Sequence, residues 1–268
     1  MLIRKSYVLI VLLVLFTLTN IATAKAVTYT AANVKGSYSF LMNKWQVPGG
    51  SQGAILGILS FDGVSVVSGS MTLIDDGTLS TFSLDGTYSV SANGSGSMMF
   101  SSGQQSLQIG FVLNSVSASI AHGLQLLWIP NSENETNTTA GTANLMNLSG
   151  SATAAKLKGS YSLLLDWWTQ QDPQQTLVGT ITFDGKSKVT LSFTEQQGSS
   201  TTTGTGSGTY TVNSDGSGSI SLTLSNSTTM QFDLVMNSIS GPVAHGLQLL
   251  DVTDPNFYST DAGTAVYQ

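Results

Sequence analysis

The sequence predicts an all-β protein built as two tandem antiparallel up-and-down β-barrels of about eight strands each. Three observations carry that reading. The chain of 268 residues contains one large internal repeat. Inside each repeat, apolar residues alternate with polar ones at a period of two, as half-buried strands do. Asp-Gly pairs separate several of these runs at hairpin spacing.

The repeat shows in five segments. Val34-Lys35-Gly36-Ser37-Tyr38-Ser39 recurs as Leu157-Lys158-Gly159-Ser160-Tyr161-Ser162, and Phe61-Asp62-Gly63 as Phe183-Asp184-Gly185. Gly86-Thr87-Tyr88 recurs as Gly208-Thr209-Tyr210, and Ala140-Gly141-Thr142-Ala143 as Ala262-Gly263-Thr264-Ala265. Ala121-His122-Gly123-Leu124-Gln125-Leu126-Leu127 recurs as Ala244-His245-Gly246-Leu247-Gln248-Leu249-Leu250. The offset is 122 or 123 residues throughout, so the loops of the two copies hardly differ in net length. The expected division is a signal peptide at 1–26, a first unit at 29–146, a linker at 147–155 and a second unit at 156–268. The linker is small, polar and uncharged, as flexible connections are.

The second unit lays out the strands in order. Tyr161, Leu163, Leu165 and Trp167 give the first; Leu177, Gly179, Ile181 and Phe183 the second. Val189, Leu191 and Phe193 follow the Asp184-Gly185 turn; Tyr210 and Val212 come next, then Ile220, Leu222 and Leu224 after Asp215-Gly216. Phe232, Leu234 and Met236 form the sixth run, His245, Leu247 and Leu249 the seventh, and Thr264 and Val266 the eighth. Gly204-Thr205-Gly206-Ser207-Gly208 reads as a flexible loop between strands. Strands that follow one another in this way describe a meander, and closing it removes the exposed edges. A pair of β-sandwiches is the alternative.

The Gly-x-Tyr that opens each unit (Gly36 and Tyr38, Gly159 and Tyr161) resembles the Gly-x-Trp that opens lipocalin-like, calycin-type barrels. The likeness covers one strand per unit, and Tyr stands where those proteins have Trp. The arginine that packs on that Trp has no counterpart, because Arg4 is the single arginine of the chain. The wider pattern of Gly-x-Tyr, Phe-Asp-Gly, Gly-Thr-Tyr and Asp-Gly-x-Gly resembles Gly/Ser-rich exported bacterial proteins of unknown function. That resemblance implies a location and a fold, but no activity.

Composition agrees with export. Arg4 and Lys5 precede an apolar run from Tyr7 to Phe16, and Ala22-Thr23-Ala24 and Ala24-Lys25-Ala26 fit small-x-small cleavage. The run is shorter than a membrane span, so no stable span is expected after cleavage. Arg4, Lys5 and Lys25 leave with the leader, so six basic residues face 15 acidic ones, a formal net charge of −9. Acidic balance and the loss of all arginine argue against nucleic acid as a partner. The expected location is periplasmic or extracellular. With no cysteine, the fold must rest on its core and its ladders.

No catalytic set emerges, so the expectation is a non-enzymatic protein, either a binder of a small ligand or a surface or structural component. Gly49-Gly50-Ser51-Gln52-Gly53 matches the hydrolase elbow in spelling, but it lacks the strand-to-helix context that motif needs and has no copy in the second unit. His122 and His245 are the only histidines; too few N or S ligands are present for zinc, and no cofactor or metal is expected. The best candidate ligand contacts are Trp45, Trp128, Trp167 and Trp168 at strand ends, with His122 and His245 beside them in rank. Rings near a barrel mouth suit a small apolar or carbohydrate ligand. Two alternatives are an outer-membrane barrel that merges both units and a hydrolase or isomerase that uses the paired histidines.

Overall fold

The computed structural model describes residues 27–46, 52–75, 77–102, 105–130, 137–148, 150–169, 175–253 and 259–268. The expected signal peptide and most of the Gly49–Gly53 stretch lie outside these residues. The first unit holds β1 (Lys35–Gln46), β2 (Gly53–Asp62), β3 (Val66–Asp75), β4 (Thr78–Val90), β5 (Ser95–Ser102), β6 (Gln105–Ser117), β7 (Ile120–Ile129) and β8 (Asn137–Leu145). The second holds β9 (Lys158–Thr169), β10 (Gln175–Asp184), β11 (Lys188–Gln197), β12 (Ser200–Val212), β13 (Ser217–Leu224), β14 (Thr229–Ser240), β15 (Val243–Asp251) and β16 (Ser259–Tyr267).

Each strand pairs with the next, and β1 also pairs with β8, as β9 does with β16. The result is two separately closed antiparallel barrels. Sandwiches and a merged sixteen-stranded barrel are both ruled out by that closure. The Gly204–Gly208 run is not a loop but the middle of β12. Space explains the glycines. A Cβ at Gly204 would meet the Phe193 ring, one at Gly206 the Leu224 side chain, and one at Gly208 the Ser221 carbonyl oxygen.

The repeated motifs converge on the base of each barrel. Gly-Ser-Tyr, Phe-Asp-Gly and Gly-Thr-Tyr each supply one ring. Phe61 lies edge-on to Tyr38 at 5.5 Å and to Tyr88 at 4.9 Å; Phe183 meets Tyr161 and Tyr210 at the same two separations. Edge-to-face geometry is the favoured arrangement for such rings. A 3₁₀ turn, Ala31–Asn33 in the first unit and Ala154–Lys156 in the second, crosses beneath the rings. The Tyr88 hydroxyl donates to the carbonyls of Ala31 and Val34, at 3.1 and 3.0 Å, and Tyr210 does the same to Ala154 and Leu157. The Tyr38 hydroxyl donates to Ala121 O at 2.6 Å and Tyr161 to Ala244 O at 2.7 Å. Gly36 and Gly159 enter the first strand at φ +106° and +103°, which a side chain would resist.

Asp62 and Asp184 tie the next turn. Each Oδ1 accepts three successive backbone N–H groups, at 2.7, 2.9 and 3.0 Å. These bonds hold both carboxyls below the usual carboxylate range, with Val64 N–H the leading cause for Asp62 and Lys186 N–H for Asp184. Burial first, and the nearby aspartate charge second, push the Tyr88 and Tyr210 phenols up to about 12. Tyr88→Phe and Tyr210→Phe should each lower stability by about 1–2 kcal/mol in urea unfolding, because buried carbonyls lose their donor.

Above the base, inward side chains form one continuous buried cluster per barrel. Leu59, Met98, Ile109 and Met42 rise toward the first mouth; Ile181, Leu163, Leu165 and Leu249 do so in the second. A third cluster joins the barrels. Ala54, Leu56, Ile58 and Ile74 of the first barrel, with Leu41 beside them, meet Val235, Leu250 and Ala262 of the second, and Met146 and Leu148 fill the angle between. Met146 N–H donates to Ser37 O at 2.8 Å, and its carbonyl accepts from Ile239 N–H at 2.9 Å. Within segment 147–155, Ala152 is buried in the second core and its N–H donates to Ser214 O at 2.9 Å.

Candidate functional site

The residues singled out from sequence do not converge. His122 and His245 are exposed and follow Ala121 and Ala244, whose carbonyls bond the base tyrosines. His245 touches only one described ring, that of Tyr267, at 5.7 Å. The repeated His-Gly segment serves the fold. A Cβ at Gly246 would strike the Asn237 amide, which folds over the glycine.

The tryptophans sit at the other end, near the mouths. Trp128 packs against the first core from above. Trp45 is 38% exposed and points outward, beside Asp166 and Ala262 of the second barrel around a small cavity of about 50 Å³. Trp167 and Trp168 end β9, and their side chains lie outside the described residues. Lys44 and Asp75 close the first mouth from inside, Nζ lying 2.6 and 2.7 Å from the two carboxylate oxygens. Among the described residues, no group of three His, Asp or Glu side chains could hold a metal ion.

A different site is formed where the barrels meet. A cleft of about 330 Å³ opens beside the seam, within the size range of small-ligand sites. Leu56 and Ile58 give it an apolar floor. Ser70, Thr72, Thr81 and Ser83 supply hydroxyls from the first barrel, and Asn213, Ser217 and Asp233 supply polar groups from the second. Phe82 borders the cleft from the other side of the sheet, since it pairs with the core residue Met71 and shares its inward face, while Thr81 and Ser83 face the cleft. Asp233 is the only ionisable group among the described residues lining the cleft. Burial raises its carboxyl above the usual range, and a side-chain hydrogen bond with Thr72, across the seam, opposes the rise.

The sign of that shift makes a prediction. A raised carboxyl pKa means the folded protein prefers the neutral acid, so stability falls as pH climbs from the ordinary carboxylate range through the raised value. Asp233→Asn should raise the thermal midpoint at pH 7 by roughly 2 °C. The gain should vanish near pH 3, where the carboxyl is neutral in both states.

Buried polar strain gathers at the same seam. Gln248 is 1% exposed on the outer face of β15, and its Oε1 has no hydrogen-bond partner; Gln52 Oε1, near Trp45, is likewise unpaired. Each such group costs about 1–3 kcal/mol. The sequence carried a faint signal for Asp233: a charge outward on a strand whose counterpart position holds Gly110.

No protein-family profile matches the chain. No curated protein matches it either. Among solved structures, kievitone hydratase from Nectria haematococca aligns over 92% of this chain and 95% of its own, at 8% identity and a TM-score of 0.31. A protein of unknown function from the DUF3598 family of Nostoc punctiforme aligns over 87% and 96%, at 11% identity and a TM-score of 0.26. Likenesses this remote carry no argument about activity. The barrels rest on strand pairing.

Proposed function

We propose that the protein is an exported, non-enzymatic binding protein that holds a small neutral carbohydrate in the cleft between its two barrels. The observation that carries this reading is the half-buried Asp233 carboxylate set among the Asn213 amide and the hydroxyls of Ser70, Thr72, Thr81, Ser83 and Ser217 above an apolar floor. A sugar ring can lay its C–H face on Leu56 and Ile58 while its hydroxyls meet the carboxylate, the Asn213 amide and the Ser and Thr hydroxyls. A purely apolar ligand would leave those groups unpaired.

The barrel interiors serve this reading less well, since their own side chains occupy them from base to mouth. One carboxylate without a second acid or base fits binding rather than hydrolysis. The two histidines are exposed at the opposite ends of their barrels from the tryptophans. Export is inferred from the apolar leader, the absence of cysteine and the hydroxyl-rich exterior. No helix among the described residues is long and apolar enough to cross a membrane. Outward positions such as Ser68, Ser70, Ser192 and Thr194 are polar while inward ones are apolar, the reverse of a lipid-facing barrel.

The test is calorimetric titration with a panel of neutral mono- to trisaccharides. At least one should bind, and Asn213→Ala and Asp233→Asn should each weaken it at least tenfold. Affinity unchanged in both variants, or cleavage of the sugar by the wild-type protein, would sink the reading.

A further inference from the structure

The seam between the barrels joins two different faces of the repeat. The first barrel contributes the outer face of β1–β3, and the second contributes the outer face of β14–β16. Such a contact is heterologous, and each barrel therefore keeps one of the two faces unused. The repeat offset locates them. On the second barrel, Leu164, Thr176, Val178 and Thr180 stand where Leu41, Ala54, Leu56 and Ile58 stand on the first. On the first barrel, Val112, Leu127 and Ala140 stand where Val235, Leu250 and Ala262 stand on the second.

Both unused faces expose the apolar residues that the seam buries. Val112, Leu127, Leu164 and Val178 are 51%, 50%, 43% and 50% exposed, whereas Val235, Leu250 and Leu56 are buried and Leu41 is half-buried. The cleft has a counterpart too. An open groove over β10–β12, lined by Val178, Thr180, Ser192, Thr194, Thr203 and Thr205, repeats the first-barrel wall that the second barrel roofs. No charged residue occupies any of these positions.

We propose that a second copy of this chain occupies these faces head to tail. The β6–β8 face of one copy's first barrel seats on the β9–β11 face of another copy's second barrel, repeating the geometry of the internal seam. A heterologous contact of this kind extends into a ring or a filament rather than stopping at a symmetric dimer. Thr176 and Thr180 replace Ala54 and Ile58, and Gln196 replaces Ile74, so this contact is weaker than the seam and forms reversibly. The proposal is independent of the ligand reading, since none of the residues on these unused faces lines the cleft.

Sedimentation velocity on the full-length protein, purified as its host processes it, tests this. The concentration should span roughly 1 µM to 1 mM, the range over which weak protein contacts titrate. The average mass should climb past that of a dimer. Val112→Asp and Val178→Asp each remove one face, so each variant alone should stay monomeric. Mixed in equal amounts they should form a dimer and stop, because each still offers the face the other lacks. Circular dichroism confirms that both fold, and Leu127→Lys and Leu164→Lys replace any that does not. A wild-type protein that is monomeric throughout overturns the proposal. So does a variant that assembles by itself, or a wild-type protein that remains monomeric while sedimenting with phosphatidylcholine vesicles.

Discussion

Phe61→Ala should destabilise the first barrel by about 3–5 kcal/mol, and Phe183→Ala should cost the second barrel a similar amount. Each ring is the centre of its base. Phe61 is buried and meets Tyr38, Tyr88 and Phe111 edge-on. Truncation removes the ring that Tyr38 and Tyr88 lean on, and both hydroxyls are tied to backbone carbonyls that pin them in place. The site cannot collapse without breaking those bonds, so the cavity remains and the cost falls toward the high end. Against a typical stability of roughly 5–15 kcal/mol, this is a large fraction. Urea unfolding of both variants checks it, with the transition width compared to the wild type so that loss of two-state behaviour is visible. A cost under about 1 kcal/mol would mean that the rings are not packed as described.

Gly208→Ala should cost about 1–3 kcal/mol, while Gly123→Ala should be nearly neutral. The two glycines look alike in sequence, each inside a repeated motif. Their surroundings differ. A Cβ at Gly208 would be driven into the Ser221 carbonyl oxygen across the β12–β13 ladder, so backbone must move. A Cβ at Gly123 finds its nearest atom, Ala143 O, at 3.5 Å, an ordinary contact. Thermal unfolding of the pair gives the comparison directly. Equal effects would contradict the crowding at β12.

Much of the fold was legible because each barrel is half-buried on one side only, so period-two alternation reports its interior directly. The turns were legible because Asp62, Asp184 and Asp215 do chemical work in them, accepting backbone N–H groups. Four of the five repeated segments build the barrel bases: Gly-Ser-Tyr, Phe-Asp-Gly and Gly-Thr-Tyr supply three rings, and the Ala-His-Gly segment supplies the carbonyl that accepts from the first tyrosine. The glycine run at 204–208 misled because glycine in a strand reads as a break, whereas here it spares room for Phe193 and Leu224.

The seam was the harder feature. It buries outward positions, which the alternation assigns to solvent. One signal was present in β2. Ala54-Ile55-Leu56-Gly57-Ile58-Leu59 is a continuous apolar run, the pattern of a strand covered on both faces. Its counterpart Thr176-Leu177-Val178-Gly179-Thr180-Ile181 is partly polar on its outer face. The difference between the copies, rather than their identity, pointed to where the barrels meet. The cleft could not be read in this way, because Thr72 and Asp233 are far apart in sequence and meet only once the barrels dock.

Small molecules are expected to meet this protein at the cleft and not inside its barrels. Chemical-shift mapping of the isotope-labelled protein during titration with a neutral disaccharide tests it most directly. Shifts confined to Thr72, Ser83, Asn213, Ser217 and Asp233, and lost in Asp233→Asn, are the expected result. Shifts centred on inward residues such as Met42, Leu59 and Trp128, with Thr72 and Asp233 unmoved, would contradict it.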